Sequence, residues 1–186
     1  MASLDCYREL LLTWSAKVNL IGPEARRNLD EHLAEALRAA EILEPKGEVL
    51  DFGSGGGLPA IPMALVSPEA HFHLVEADQK KWAFLKQAVR ACNLHCEVHG
   101  DRLERLAPRL SVASFTLVTS RAVGKPESWV PWVEPLLKMG GRVALFEGTP
   151  APPRIPGFEV ERIDRLPRGE GHSLITLRKV PRGTIE

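Results

Sequence analysis

The sequence predicts an α/β fold: a mainly parallel sheet covered on both faces, an antiparallel edge, and a helical extension ahead of the sheet. Three observations lead there. Short apolar runs alternate with stretches whose apolar residues recur every three or four positions. A glycine-dense turn directly follows the first of these runs. Two late runs are joined without an intervening helix, as an antiparallel pair allows. The chain has 186 residues, 44% hydrophobic and 26% charged, which suits one folded domain and excludes a disordered chain.

Leu4, Tyr7, Leu11, Trp14 and Val18 form one helical stripe. Gly22-Pro23 breaks it, and Pro23 suits the opening of a second helix. There Leu29, Leu33, Ala36, Ala40 and Leu43 repeat the stripe, and Glu44-Pro45-Lys46-Gly47 closes it. Residues 1–46 are thus the predicted helical extension, and 47–186 the sheet domain.

Val49-Leu50-Asp51-Phe52 reads as the first strand and runs into Gly53-Ser54-Gly55-Gly56-Gly57. Residues 58–66 read as a helix in which Pro59 fits a first turn and Pro62 costs or bends something. A second strand covers 71–76. Asp78 can cap a helix to Cys92 with Trp82, Leu85, Val89 and Cys92 on its face. Residues 96–99 and 115–119 are the third and fourth strands. A helix carrying Trp129, Val133, Leu136 and Leu137 is stopped by Gly140-Gly141, and 142–146 is the fifth strand. After a proline-rich connector at 150–156, residues 158–163 and 174–180 form the antiparallel edge.

Lys plus Arg and Asp plus Glu are both 24, a net charge of zero. Gripping bare nucleic acid by bulk charge is therefore excluded, and any such role needs a local basic rim. Three cysteines make no closed disulfide framework, which fits a reducing compartment. No apolar run reaches the roughly 20 residues of a membrane span, and Asp5 interrupts any signal-peptide core. A cytoplasmic protein without membrane contact is expected. The oligomeric state is open, with a monomer as the default.

In an open α/β sheet, ligands lie beyond the carboxyl ends of the strands. Glycines after the first strand let the backbone approach a ligand, and the next helix N-terminus can meet an anionic group. Gly53, Gly55 and Gly57 give G-x-G-x-G, whereas a dinucleotide fingerprint would need glycine at Leu58. Glu76, ending the second strand, can accept hydrogen bonds from both hydroxyls of a ribose. That serves S-adenosylmethionine as well as NAD. Cys92, His95, Cys96 and His99 would align on one continuous helix, but the predicted change from helix to strand scatters them, so no metal site is assigned.

The chain resembles the RsmG/GidB family, whose members methylate guanine N7 in 16S (small-subunit) ribosomal RNA. The resemblance spans nearly the whole chain and is densest over residues 49–62, where Leu58-Pro59 and Ile61-Pro62 are distinctive. It continues in Val66-Ser67-Pro68-Glu69, Lys80-Lys81, Phe84-Leu85 and Ser120-Arg121-Ala122. Trp14, Asn19-Leu20 and His32 are similar to the family's W…NL and H-x-x-D-S stretches, and Gly169-Glu170-Gly171-His172 to its late turn. The resemblance implies a Rossmann-like class I methyltransferase domain over 47–186, binding S-adenosylmethionine. Gly53, Gly55, Gly57 and Leu58 would approach the cofactor, and Glu76, Ala77 and Asp78 would hold its ribose. Arg102 and Leu103 would flank the adenine, and Arg121 matches a cofactor-site arginine. The implied partner is small-subunit rRNA or the small ribosomal subunit. Departures are Ile21 where the family has threonine, Glu35-Ala36 where it has Asp-Ser, Glu147 where it has lysine, and an N-terminus shorter by about a helix.

Guanine N7 attacks with a free lone pair and loses no proton, so positioning and tolerance of the developing cation are the main needs. The chain has no N/D-P-P-Y/F/W motif and no cysteine after a proline; Ser120-Arg121 stands where such motifs would sit. Arg121 is the candidate orienting residue, for a cofactor carboxylate, a phosphate or guanine O6; otherwise it pairs with a core acid such as Asp51. His32 is either a buried histidine bonded to a carbonyl or a lid residue facing substrate. Lys80, Lys81, Lys86, Arg90 and Arg26-Arg27 are a solvated face or an RNA rim. Trp129 and Trp132 could stack on bases, though the spacing of Trp129 with Val133 puts it in the core. Two other readings stay open: an NAD-linked oxidoreductase, and a non-catalytic RNA- or ribosome-binding member of the fold.

Overall fold

A computed structural model describes residues 4–121, 123–147, 152–167 and 172–181. Ala122, Pro150, Gly169-Glu170-Gly171 and the Glu147 side chain, all invoked above, lie outside the described residues. The helices are α1 (Leu4–Ser15), α2 (Pro23–Arg27), α3 (Leu29–Leu43), α4 (Ala60–Val66), α5 (Gln79–Ala91), α6 (Leu103–Leu106) and α7 (Pro126–Val133). The strands are β1 (Gly47–Phe52), β2 (Ala70–Val75), β3 (Cys96–His99), β4 (Phe115–Arg121), β5 (Leu137–Glu147), β6 (Phe158–Arg165) and β7 (Ser173–Lys179).

They form one sheet in the order β3-β2-β1-β4-β5-β7-β6. β1 to β5 are parallel, while β7 runs antiparallel to both β5 and β6. The mainly parallel sheet with an antiparallel edge is therefore observed. The chain moves outward from β1 to β3 and then returns to lay β4 on the other side of β1. That reversal opens a crevice at the carboxyl ends of β1 and β4.

Period-two alternation in the central strands feeds two cores. Val49, Phe72, Leu74 and Leu117 join α1, α3, α4 and α5 through Tyr7, Leu11, Leu33, Leu43, Ile61 and Phe84. Leu50, Phe52, Val118 and Leu145 face the other way, onto Leu103, Leu106, Trp129, Val130 and Val133. Each such fully buried side chain contributes about 1.5–3 kcal/mol. The predicted core place of Trp129 is observed at 5% exposure, whereas Trp132 is 41% exposed.

Several expected boundaries move. The first helix ends at Ser15, short of Val18. The second becomes two, parted at Asn28 (φ −107°, ψ 31°). α4 starts at Ala60, so Pro62 sits in its first turn, where a missing N–H breaks no bond. This corrects the expected cost of Pro62. Asp78 caps α5 as predicted, accepting from Lys80 N at 2.9 Å and Lys81 N at 3.0 Å. The buried face of that helix is Phe84, Leu85 and Ala88, with Trp82 and Val89 only half-buried.

The largest correction concerns 129–141. α7 stops at Val133, one 3₁₀ turn spans Glu134–Leu136, and Leu137 already belongs to β5. Pro135 lacks the N–H that would continue the helix. Lys179 Nζ donates to the Glu134 carbonyl just past the helix at 2.6 Å and to the Leu137 carbonyl at the start of β5 at 3.0 Å. Gly140, at φ +74°, lies in an irregularity where β4 passes from Leu137 to Arg142 of β5. These glycines bend a strand; they do not stop a helix. α6 was not anticipated, since four residues hold too little periodicity.

Candidate functional site

The turn after β1 is held in place by local polar contacts. Gly53, Gly55 and Gly57 have φ of +67°, +54° and +84°. A Cβ on Gly53 would come within 2.5 Å of a Val123 methyl, and one on Gly57 within 2.5 Å of Ile61. Gly57 therefore serves packing beneath the turn, while a Cβ on Gly55 would meet only the Gly53 carbonyl, at 3.7 Å. Ser54 Oγ donates to the Asp51 carbonyl at 2.9 Å and accepts from Val75 N at 3.2 Å, joining the turn to β2. Gly56 rests against α1 and the segment after it, near Leu11 and Ile21, and its carbonyl accepts from the buried Tyr7 hydroxyl at 2.6 Å.

Glu76 lies just past β2, 9% exposed. Its Oε2 accepts from Gly55 N at 2.9 Å and its Oε1 from Asp78 N at 2.8 Å. A carboxylate has about four acceptor positions, so two remain for a ligand's hydroxyls. Here the acid at the strand end also fixes the glycine turn, a role the sequence did not reveal.

A cleft of about 380 Å³ opens at these strand ends. Phe52, Gly53, Val75, Glu76 and Ala77 form one side, and Asp101, Arg102, Leu103 and Glu104 another. Val123, Ser128 and Trp129 close it. Phe52 meets the Trp129 ring edge-on, 4.6 Å between centroids. The Trp129 indole N–H is buried without a hydrogen-bond partner among the described residues. Five of the sequence candidates, Gly53, Glu76, Ala77, Arg102 and Leu103, share this cleft. Gly55, Gly57, Leu58 and Asp78 belong to the turn and the α5 cap beside it. The apolar walls with one carboxylate suit a nucleoside, and the missing Cβ at Gly53 lets the Val123 side chain pack against the turn. The nucleoside part of S-adenosylmethionine is compatible with that lining.

Arg121 and His32 come together, although 89 positions separate them. The Arg121 Nη2 contacts His32 Nδ1 and lies 3.7 Å from Glu35 Oε2. Glu35 is 3% exposed and also lies 3.8 Å from His172 Nδ1. Arg121 thus stands beside a core acid, as its alternative reading expects, with Glu35 in the place where Asp51 was the example. His32 is 2% exposed, and its Nε2 has no hydrogen-bond partner among the described residues. Glu35 and His172 were not foreseen as neighbours. The signal available was that Glu35 keeps a carboxylate three residues after His32.

Asp51, 1% exposed, accepts from the Thr119 hydroxyl at 2.6 Å. Burial pushes its carboxyl up to about 7, against the pull of the Thr119 and Ser54 hydroxyls. Lys80, Lys81, Lys86 and Arg90 are exposed or half-exposed along α5, and Lys86 Nζ lies 4.6 Å from the centre of the Trp82 ring. Among the described residues no helix is long and apolar enough to cross a membrane.

The sheet order and the crevice define the Rossmann-like class of the methyltransferases. A solved S-adenosylmethionine-dependent methyltransferase from Aquifex aeolicus superposes with a TM-score of 0.65 over 87% of this chain and all of that one, at 13% identity. At that identity the likeness establishes the fold alone. The family described as "GidB: rRNA small subunit methyltransferase G" matches residues 1–155, and the chain belongs to this family. Among curated relatives, "Ribosomal RNA small subunit methyltransferase G" of Gluconobacter oxydans is 31% identical, covering 98% of this chain and 89% of that protein. The protein of the same name from Mycolicibacterium vanbaalenii is 34% identical, and the chain spans 63% of its length.

Proposed function

We propose that this chain is an S-adenosylmethionine-dependent methyltransferase acting on guanine N7 of small-subunit rRNA. The single observation that carries the reading is the cleft in which the Gly53 turn and the Glu76 carboxylate meet, in a chain of this family. In the bound state the cofactor supplies a methyl group on a positively charged sulfonium. Glu76 is the residue for the ribose, since it lines the cleft and only two of its acceptor positions are taken, by Gly55 N and Asp78 N. Leu103, Val75 and Phe52 offer apolar contact for a base, with Arg102 and Ala77 at the rim. Gly53, Gly55, Gly57 and Leu58 shape the turn, and Asp78 steadies the start of α5 beside it.

No general base is required, because N7 carries its lone pair in the neutral ring. The protein's task is to bring the two reactants into line and exclude water. Arg121 has its Nη2 committed to His32 and Glu35, which fixes the guanidinium plane at the end of β4. We assign it an orienting role toward an anionic or carbonyl oxygen, with His32 as its support. A hydrogen bond from Arg121 to N7 itself would occupy the reacting lone pair and is excluded from the mechanism. The basic face of α5 is the proposed contact for rRNA phosphates, and such a substrate places the protein in the cytoplasm.

The test incubates the protein with methyl-labelled S-adenosylmethionine and unmethylated small subunits, naked rRNA or small acceptors. Label released by cleavage specific for 7-methylguanine is the expected result. Cofactor binding without label in RNA would instead leave the non-catalytic, ribosome-binding reading. Tighter binding of NADH than of S-adenosylhomocysteine would turn the assignment to an oxidoreductase.

A further inference from the structure

Four of the six histidines in the chain, His71, His73, His95 and His99, collect around the β2–β3 end of the sheet. Two overlapping triads of the described residues, Glu48–His71–His73 and His73–Glu97–His99, each bring their ligand atoms within 4.8 Å of one another. None of these residues lines the cleft.

The two triads differ in spacing. Glu48 Oε2 lies 2.6 Å from His73 Nε2 and 3.0 Å from His71 Nδ1. Those are hydrogen-bond lengths with a proton in each gap. In the other triad His73 Nδ1 lies 3.1 Å from His99 Nε2 and 3.6 Å from Glu97 Oε2, and His99 Nε2 lies 3.8 Å from Glu97 Oε1. Two donor atoms on one tetrahedral zinc, at bond lengths of about 2.0–2.2 Å, stand about 3.4 Å apart. In the second triad the 3.6 and 3.8 Å gaps stand near that spacing, and the 3.1 Å His73–His99 contact, a hydrogen bond in the metal-free protein, has only to open by a few tenths of an ångström to reach it.

We propose that His73, Glu97 and His99 bind a divalent transition metal ion of the zinc type, with Glu48 as the supporting carboxylate on the far side of His73. The register explains the convergence. His73 and Glu97 are direct partners across β2 and β3, and His99 is two residues further along β3, on the same face. Glu48 accepts the Nε2–H of His73, which leaves the Nδ1 lone pair for a metal; this carboxylate–histidine–metal order is common to such sites. His71 holds Glu48 from the other side. The His73 and His99 side chains are 12% and 14% exposed, and that of Glu97 is 56% exposed. The ion would enter from the Glu97 side and keep a water there. Two imidazoles and one carboxylate suit zinc, cobalt, nickel or copper; calcium and magnesium take oxygen donors. Binding would clip the edge strand β3 to the sheet just before Asp101 and Arg102 enter the cleft rim.

The metal-free protein is titrated with Zn²⁺ by calorimetry and with Co²⁺ by visible absorption. One ion per chain is expected, with the d–d bands of four-coordinate cobalt, no thiolate charge-transfer band, and a melting temperature that rises with Zn²⁺. Glu48→Gln is expected to weaken binding by about 10–100-fold, as loss of a supporting partner does. His99→Ala and Glu97→Gln are expected to weaken it further, and His95→Ala to leave it unchanged. Glu97 is exposed, so the metal-free Glu97→Gln protein is expected to melt like wild type, which separates loss of a ligand from loss of folding. No saturable binding, or a thiolate band, would overturn the proposal. So would loss of binding in His71→Ala with full binding in Glu97→Gln, which would move the ion to the other triad. The readouts involve no methyl transfer, so they stand apart from the proposed function.

Discussion

Asp51 ends β1 with its carboxyl buried and pushed up to about 7, against an ordinary value near 3.9 in the unfolded chain. The folded state therefore holds this proton more tightly. Its contribution to stability is full below about pH 4 and is lost as pH rises through about 7, at about 1.4 kcal/mol per pH unit. Melting temperature is expected to fall between pH 5 and pH 8, and the fall to be clearly smaller in Asp51→Asn. Equal slopes in the two proteins would show that Asp51 ionises without cost. At this scale the sequence disclosed what a strand end and a turn impose: Gly53 and Glu76 stand in the cleft because position after a strand decides where they go. It did not disclose Glu35 beside Arg121, since that contact depends on how α3 lies across β4. Nor did it disclose the triad of His73, Glu97 and His99. Cys92, His95, Cys96 and His99 are neighbours along the chain, whereas the convergent set keeps only His99 of these, joined by Glu97 of the same strand and by His73 from β2.

Among the elements, α5 was the most legible because cap and termination agree, although its buried face is turned to Phe84, Leu85 and Ala88. Asp78 satisfies two otherwise open N–H groups at its start. Asp78→Ala is expected to destabilise the protein through the lost cap, read as a lower denaturant midpoint with an unchanged slope. A wild-type midpoint would mean that water caps the helix as well as the carboxylate does. The stretch 129–141 misleads for a physical reason. Its apolar residues keep helical spacing while Pro135 forbids the helix, and the lysine that bonds the Glu134 and Leu137 carbonyls is Lys179, on β7. No local pattern contains that partner. α6 is set by Leu103 and Leu106 packing under the sheet, which again is a tertiary cause.

On the scale of the molecule, the helices before β1 and one face of the sheet have a common interior. Tyr7, Leu11, Leu33, Leu43, Ile61, Phe84 and Leu117 are buried in one cluster. Removing residues 1–46 would bare the sheet side of that cluster to water. The fragment 47–186 is expected to lose its cooperative thermal transition and to bind an apolar dye. A sharp melt in the fragment would instead mark an independent sheet domain. The order of strands was legible as a class, parallel with an antiparallel margin, because alternation of element types restricts topology severely. The insertion of β7 between β5 and β6 was not.

The Tyr7 hydroxyl that meets the Gly56 carbonyl ties the first helix to the turn at the crevice. A ribosome delivers α1 long before the turn it fastens, so this helix must wait, undocked, until β1 and its loop have emerged. Anything that pries α1 from the sheet thereafter withdraws the same fastening. Ligand occupancy at the crevice and protection of α1 from proteases should accordingly rise and fall in step.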